Sequence, residues 1–337
     1  MTTSAVNAES SSPTLYRTAL NLVLAYGQQL GLLAVIAVLS AVFQSVNPVF
    51  LSPANVIEML RAGALYFVVA CPSTLVLVAG GLDFSVGALF AVGGIVAGAA
   101  MMGGVPWPLA MLLGVGAGGL LGLVNGAITV YLRVPPLIAT LGTFFAATGF
   151  MNVYTGGSNL FGFPPEFNNI GQGDFLGIPF LVYYSAVTGV IFYVLLEKTR
   201  LGYNSRCLGG NRSAASANGI RVNALDLTLY AISGAVTALA GIFFMARTST
   251  ASPGAGGSTL TFQVITAIII GGTSLFGGIG TITGTLLGTL LFAVINNGLA
   301  VVNVNALYQN IFIGVILVGA VAIDQASRRR QFTSGRR

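Results

Sequence analysis

The sequence predicts an all-α integral membrane protein, a polytopic bundle of about ten transmembrane helices with both termini cytoplasmic. Three observations predict it. The 337-residue chain is 55% hydrophobic and 7% charged, where a soluble domain carries about a quarter of its residues as charges. The apolar runs between charges match or exceed the roughly 20 residues that a helix needs to cross a bilayer core. The basic residues also divide unevenly: with ten spans, Arg17, Arg133, the five from Lys198 to Arg221 and the five of RRRQFTSGRR share the side of the termini, leaving only Arg61 and Arg247 opposite. By the positive-inside rule the crowded side is cytoplasmic.

The first span lies between Arg17 and Glu58, centred on LGLLAVIAVLSAVF, and NPVFLSPAN after it reads as a loop. A second fits between Arg61 and Asp83. The uncharged run from Phe84 to Leu132 holds two more, parted by the turn-forming GGVPWP, whose Trp107 suits an interface. RVPP (Arg133 to Pro136) reads as a rigid cytoplasmic turn, because proline removes backbone donors and stops the preceding helix. PLIATLGTFFAATGFMNVY is the fifth span, and TGGSNLFGFPPEFNNIGQGD reads as a loop. IPFLVYYSAVTGVIFYVLL is the sixth, LTLYAISGAVTALAGIFFMA the seventh, and the uncharged run from Thr248 to Ile323 has room for three more.

This divides the chain into a polar N-terminal tail (1–16), one transmembrane domain (17–326) containing a cytoplasmic loop (197–226), and a basic tail (327–337). The first sixteen residues lack the pattern of a cleavable signal peptide, so the first span is expected to direct insertion. Cys71 in an apolar run and Cys207 in the cytoplasmic loop occupy opposite environments and are not expected to pair. The pI of about 9.6 follows from topology and attraction to anionic lipid, and implies no nucleic acid partner.

Catalysis is poorly provided for. No histidine is present, so neither a Ser-His dyad nor a histidine metal site is available, and no metal site is expected. The one lysine, Lys198, precedes TRLG and does not form a phosphate-binding GxxxxGK[ST] loop. An ion-coupled carrier would place acids or histidine along its path, and Asp83 is the single candidate.

SRCLGGNRSAASANGIRV (205–222) gathers three arginines in this otherwise oily chain. Within it, SAASANG is small and helix-tolerant; Asn211 can cap a short helix and Gly219 can end it in a left-handed conformation. Such a helix could dock in a groove of a soluble partner, since small side chains allow close backbone approach. An ordinary loop with topological charge is the alternative.

GGNRSAASANGI resembles the cytoplasmic coupling segment of permease subunits in bacterial ABC importers, with the pattern Glu-Ala-Ala, three residues, Gly. Ala214, Ala215 and Gly219 match; Ser213 stands where the family has Glu, so the salt bridge that acid would make to an ATPase is in question. LVAGGLDFSVGALFAVGG (77–94), VPPLIATLGTFFAATG (134–149), GGTSLFGGIGTITGTLLGTLLFAVINNGL (271–299) and YQNIFIGVILVGAVAID after them resemble the monosaccharide branch typified by the ribose permease. The resemblance implies a bacterial inner-membrane subunit that pairs with a second permease copy, docks a cytoplasmic ATP-binding subunit and receives sugar from a periplasmic binding protein. It implies no cofactor on this chain, ATP and Mg being held by the partner ATPase. Gly209, Gly210, Asn211, Ser213, Ala214, Ala215 and Gly219 would form the coupling site. A permease of another ABC branch, such as that for branched-chain amino acids, and a secondary carrier are the alternatives.

A sugar is uncharged and covered in hydroxyls, so its path calls for amide, hydroxyl and aromatic side chains. Thr140, Thr143, Phe144, Phe145, Asn152, Asn125, Gln263, Asn296 and Asn297 qualify, each equally able to bond between helices. Asp83 and Ser85, in GGLDFSVG, are read either as gating or substrate residues or as a structural cap where two spans break. The Gly-Gly pairs of that segment and of GGTSLFGG serve close packing or an irregular turn, allowed at membrane depth only where protein or a cavity shields it. Each has a further Gly six residues on and a span ending in Asn-Gly beyond it, a faint internal repeat.

Overall fold

The computed structural model describes residues 15–305 and six further positions between Tyr308 and Gly319. The expectations for the basic tail, for most of the last apolar run and for residues 1–14 of the N-terminal tail fall outside the described residues.

The described chain is helical: α1 (Leu15–Val46), α2 (Pro53–Val78), α3 (Val86–Met102), α4 (Trp107–Tyr131), α5 (Pro136–Thr155), α6 (Pro165–Gln172), α7 (Phe180–Lys198), α8 (Arg200–Gly210), α9 (Arg212–Ala217), α10 (Val222–Thr248), α11 (Gly257–Ile270) and α12 (Ile282–Val301). A two-residue hairpin, β1 (Asp174–Phe175) with β2 (Ile178–Pro179), stands before α7. Seven helices, α1, α2, α4, α5, α7, α10 and α12, are long and apolar enough to cross a membrane, and α3 and α11 are shorter apolar helices. Every apolar run expected before residue 302 is thus a helix.

Two expected loops contain structure. The segment after α5 folds α6, begun by Pro165 at its first turn and held by Phe167, which is fully buried. Gly171 lets α6 lie directly on the α10 backbone at Ala246 and Arg247. The hairpin turns through Leu176 and Gly177, both at positive φ, the conformation a two-residue turn of this twist needs. The expected cytoplasmic loop 197–226 is mostly helical, and before α9 it forms helix α8, whose Gly202, Ser205 and Leu208 are buried. Composition hid it, because its buried face is small and the surrounding protein supplies the apolar contacts.

Helices α2 and α10 form the centre, α10 packing against α4, α3 and α2, and α2 against α7, α12 and α11. The contact of α4 with α10 is a glycine stripe. Gly114, Gly118, Gly122 and Gly126 recur every fourth residue and are buried; a side chain on Gly118 would collide with Ala238 and Gly234, one on Gly122 with the Tyr230 carbonyl. Removing Cβ atoms lets the backbones touch, the means of association left to helices in lipid, where burying apolar surface brings no gain. The opposite face of α4 and the outer face of α7 expose Leu112, Leu120, Val187 and Val190, apolar groups that suit hydrocarbon.

Two helix pairs, α2 with α3 and α11 with α12, are interrupted by irregular breaks, at 79–85 and 271–281. These are the two Gly-Gly segments of the faint repeat. RVPP is the expected turn, with Arg133 left-handed at φ 55 between α4 and α5. Cys71 on α2 and Cys207 on α8 are free thiols.

Candidate functional site

The break at 79–85 begins where Gly80 turns left-handed, φ 81, a conformation open to glycine without a Cβ penalty. Asp83 follows, only 5% exposed. Its Oδ1 accepts from the Ser85 amide at 2.9 Å and the Ser85 hydroxyl at 2.5 Å, and its Oδ2 accepts from Ser233 of α10 at 3.2 Å. Asn125 of α4 donates to Ser85 Oγ at 2.8 Å, and Thr143 of α5 donates to Asn125 Oδ1 at 2.5 Å. Thr140 accepts from the Phe84 amide at 3.0 Å, and the Tyr230 hydroxyl donates to the Leu82 carbonyl at 3.1 Å. Irregular backbone can persist among apolar helices only when its polar groups find partners, and here three helices supply them.

Five of the candidate pathway residues, Asp83, Ser85, Asn125, Thr140 and Thr143, therefore meet in one network. Phe144 lies beside it on α5, edge-on to Phe145 at 5.3 Å. Asn152 bonds within α5, to the Thr148 carbonyl. Asn296 and Asn297 lie elsewhere, near the end of α12: Asn297 exchanges amide hydrogen bonds with Asn55 at 2.8 and 2.9 Å, and the Asn296 amide nitrogen is buried without a partner among the described residues. Sequence reasoning missed Tyr230 and Ser233, whose one available signal is their spacing of three, which sets both on one face of α10.

The coupling segment has the expected local form. Asn211 Oδ1 accepts from the Ala214 amide at 2.9 Å, capping α9. At the other end Gly219 is left-handed at φ 82; its amide bonds the Ser216 carbonyl at 3.0 Å and the Ile220 amide bonds that of Ala215 at 3.1 Å. This paired closure is the Schellman motif. Arg212, Ser213, Ala214, Ser216 and Ala217 are exposed and Ala215 alone is buried, so a short helix with small side chains stands free at this end. Arg212 ties it to α10 through Asp226 at 2.5 Å.

Between α9 and the membrane helices lies a junction of three glycine pairs. Gly209 of α8 sits against Val78, Gly277 and Gly278, and a Cβ there would overlap the Val78 carbonyl. A Cβ on Gly277 would come within 2.8 Å of both Gly209 Cα and Gly80 N. The Gly278 amide donates to the Val78 carbonyl at 2.8 Å. Arg206 clamps the same region, reaching Glu197 at 2.5 Å and the Gly280 carbonyl at 3.2 Å. Both breaks thus touch the helix that carries α9.

At the far end of α2 and α10, Glu58 accepts from Arg61 at 2.6 Å and from Arg247 at 2.7 Å. The two basic residues assigned to the minority side of the membrane share one acid.

A family model described as the permease component of a branched-chain amino acid transport system matches residues 55–321. The chain belongs to this permease family. Curated relatives of the permease carry sugar names. The ribose import permease protein RbsC of Bacillus subtilis (strain 168) is 37% identical, over 88% of this chain and 93% of its own. The D-allose transport system permease protein AlsC of Escherichia coli (strain K12) is 34% identical, over 96% and 98%. The galactose/methyl galactoside import permease protein MglC of the same strain is 32% identical, over 91% and 97%. No solved structure matches. The permease is a multi-pass membrane protein and the transport component, not a catalytic one, of a bacterial ABC importer.

Proposed function

We propose that this permease carries a monosaccharide or related polyol across the inner membrane of a bacterium, in ten spans with both termini cytoplasmic. Two copies form the channel. A cytoplasmic ATP-binding subunit, which holds ATP and Mg, docks on α9, and a periplasmic binding protein delivers sugar near Glu166 of α6 and Asp174 of the hairpin. The observation that carries the reading is the near full-length match to ribose, allose and galactose permeases. The exposed, capped α9 supports the docking role, with Gly209, Gly210, Asn211, Ser213, Ala214, Ala215 and Gly219 as its coupling residues. Ser213 offers a hydroxyl where the resemblance leads one to expect Glu, so the contact there is a hydrogen bond in place of a salt bridge.

The network of Asp83, Ser85, Asn125, Thr140 and Thr143 is the part of the pathway that moves. It joins one break to three helices through neutral hydroxyl and amide groups, and its one acid is occupied by Ser85 and Ser233. Phe144 flanks it, and Asn296 and Asn297 belong to the opposite mouth.

The description of the family model favours a second reading, a branched-chain amino acid. A zwitterion needs fixed partners for an ammonium and a carboxylate, whereas a sugar needs neutral groups. Gentle purification from native membranes, followed by reconstitution with the subunits that stay bound, separates the two. ATP-dependent uptake from a panel of D-ribose, D-allose and D-galactose is expected, and uptake of leucine alone would establish the second reading. A protein that purified alone yet carried solute would instead be a secondary carrier.

A further inference from the structure

A cavity of about 250 Å³ lies between α2, α3, α10 and α11, at the Glu58 end of the bundle. Tyr66, Phe90, Phe244, Arg247, Thr259 and Gln263 line it. Gln263 decides its character. The residue is 8% exposed, yet no hydrogen bond joins its amide to another described residue. Its amide faces the cavity with both its donor and its acceptor uncommitted to the described protein, so it can pair with whatever enters. The Tyr66 hydroxyl likewise has no hydrogen bond among the described residues.

The aromatic side is built with equal care. Phe90 and Phe244 pack at a centroid separation of 5.5 Å, and the first turn of α11 is pressed onto α3, the Gly87 amide donating to Thr261 at 2.9 Å. A side chain on Gly87 would overlap the Gly257 carbonyl. The wall bearing Thr259 and Gln263 is thereby fixed against the wall bearing Phe90. Arg247 forms the rim, one part of its guanidinium held by Glu58 at 2.7 Å and further donors left over.

Aromatic faces beside an amide that both donates and accepts, a phenol and a hydroxyl are complementary to a small ring with apolar C–H faces and hydroxyl edges. The volume falls below the about 300 Å³ at which sites for drug-sized ligands begin, which suits one ring. Two larger cavities, of about 390 Å³ between α2, α7 and α12 and about 670 Å³ between α3, α4 and α5, are lined almost wholly by apolar groups and would leave a sugar's hydroxyls unpaired. We infer that this cavity is a monosaccharide-binding station within each permease subunit, Gln263 and Tyr66 holding the hydroxyls against Phe244. The inference rests on the sugar reading and adds to it a place and a set of contacts. Phe90 lines the cavity from α3, the helix that begins just after Asp83 and Ser85 of the first break.

The test uses the complete importer in proteoliposomes. Thr259 is exposed, and Thr259→Cys in a Cys207→Ser background places a reactive thiol at the cavity, Cys71 being fully buried. D-Ribose, D-allose or D-galactose, whichever the wild type carries, is expected to slow modification by a methanethiosulfonate reagent. Adding Gln263→Leu should raise the sugar concentration for half-protection about tenfold and lower uptake at saturating binding protein to a similar degree. Val190→Ala, in the apolar cavity beside α7, should change neither. If Gln263→Leu fails to assemble, protection of Thr259→Cys decides alone. Modification unaffected by a sugar that the wild type transports overturns the site and leaves the sugar reading standing. A wild type that hydrolyses ATP but takes up none of the three sugars overturns both.

Discussion

Gly209 of α8 packs backbone to backbone against Gly277 of the second break, with no room between them for a methyl group. Two residues further along the chain, Asn211 caps the exposed helix α9. A displacement of α9 therefore reaches the membrane helices through rigid backbone, with no long side chain to absorb it.

Gly209→Val tests that path. The new side chain meets the Val78 carbonyl and forces the junction apart, an overpacking that costs about 1–3 kcal/mol. Sugar uptake by reconstituted importer should fall by an order of magnitude or more while ATP hydrolysis persists, measured side by side. Uptake and hydrolysis falling in equal proportion would assign Gly209 to ATPase docking alone.

Gly219→Val acts differently, because nothing lies within 4 Å of a Cβ at this position. Its effect is conformational: a β-branched residue at φ 82 is strained by about 1–3 kcal/mol, enough to unwind the end of α9. Insertion should be intact and co-purification of the ATPase lost. Gly219→Asn, which tolerates the left-handed region better, should keep most of the binding, as judged by pull-down on the tagged permease.

Asp83→Ala removes the acceptor for Ser85 and Ser233 and leaves buried donors unpaired, at about 1–3 kcal/mol each. Asp83→Asn keeps one acceptor oxygen and should be milder. Modification of Cys71, fully buried in α2, reports unfolding in detergent once Cys207 is replaced by Ser. The expected order of thermal midpoints is wild type, Asp83→Asn, Asp83→Ala.

The glycine stripe yields a paired prediction. Gly116 and Gly118 are two residues apart on α4, but a Cβ on Gly116 meets nothing within 4 Å whereas one on Gly118 meets Ala238 and Gly234. Gly116→Leu should leave folded yield unchanged, and Gly118→Leu should abolish the monodisperse peak on size-exclusion chromatography.

Several of these features were legible in the residue order. The apolar runs mark out the helices, seven of them long and apolar enough to cross a membrane, because a bilayer imposes a length on every helix that crosses it. The cap at Asn211 and the stop at Gly219 could be read because each depends on bonds to residues within five positions along the chain. The turn at RVPP followed from proline sterics in the same way. Helix α8 was not legible: Gly202, Ser205 and Leu208 look like loop until the surrounding protein buries them.

What the sequence by itself determined is therefore local: which segments form apolar helices, and that the basic loop can hold a short helix capped at Asn211 and ended at Gly219. Only the tertiary structure decided what the glycines and polar residues do. Gly80, Gly209 and Gly277 are far apart in the chain, and their common function as one junction exists only once three backbones meet. Asp83 reads as a gating acid or a cap until Ser85 and Ser233 are found on its two oxygens. Gln263 is one polar residue among many until the fold sets its amide facing a cavity with no side chain of the described protein bonded to it. A helix boundary is set by neighbours along the chain, whereas the meaning of a missing side chain or a buried amide is set by what lies across the contact.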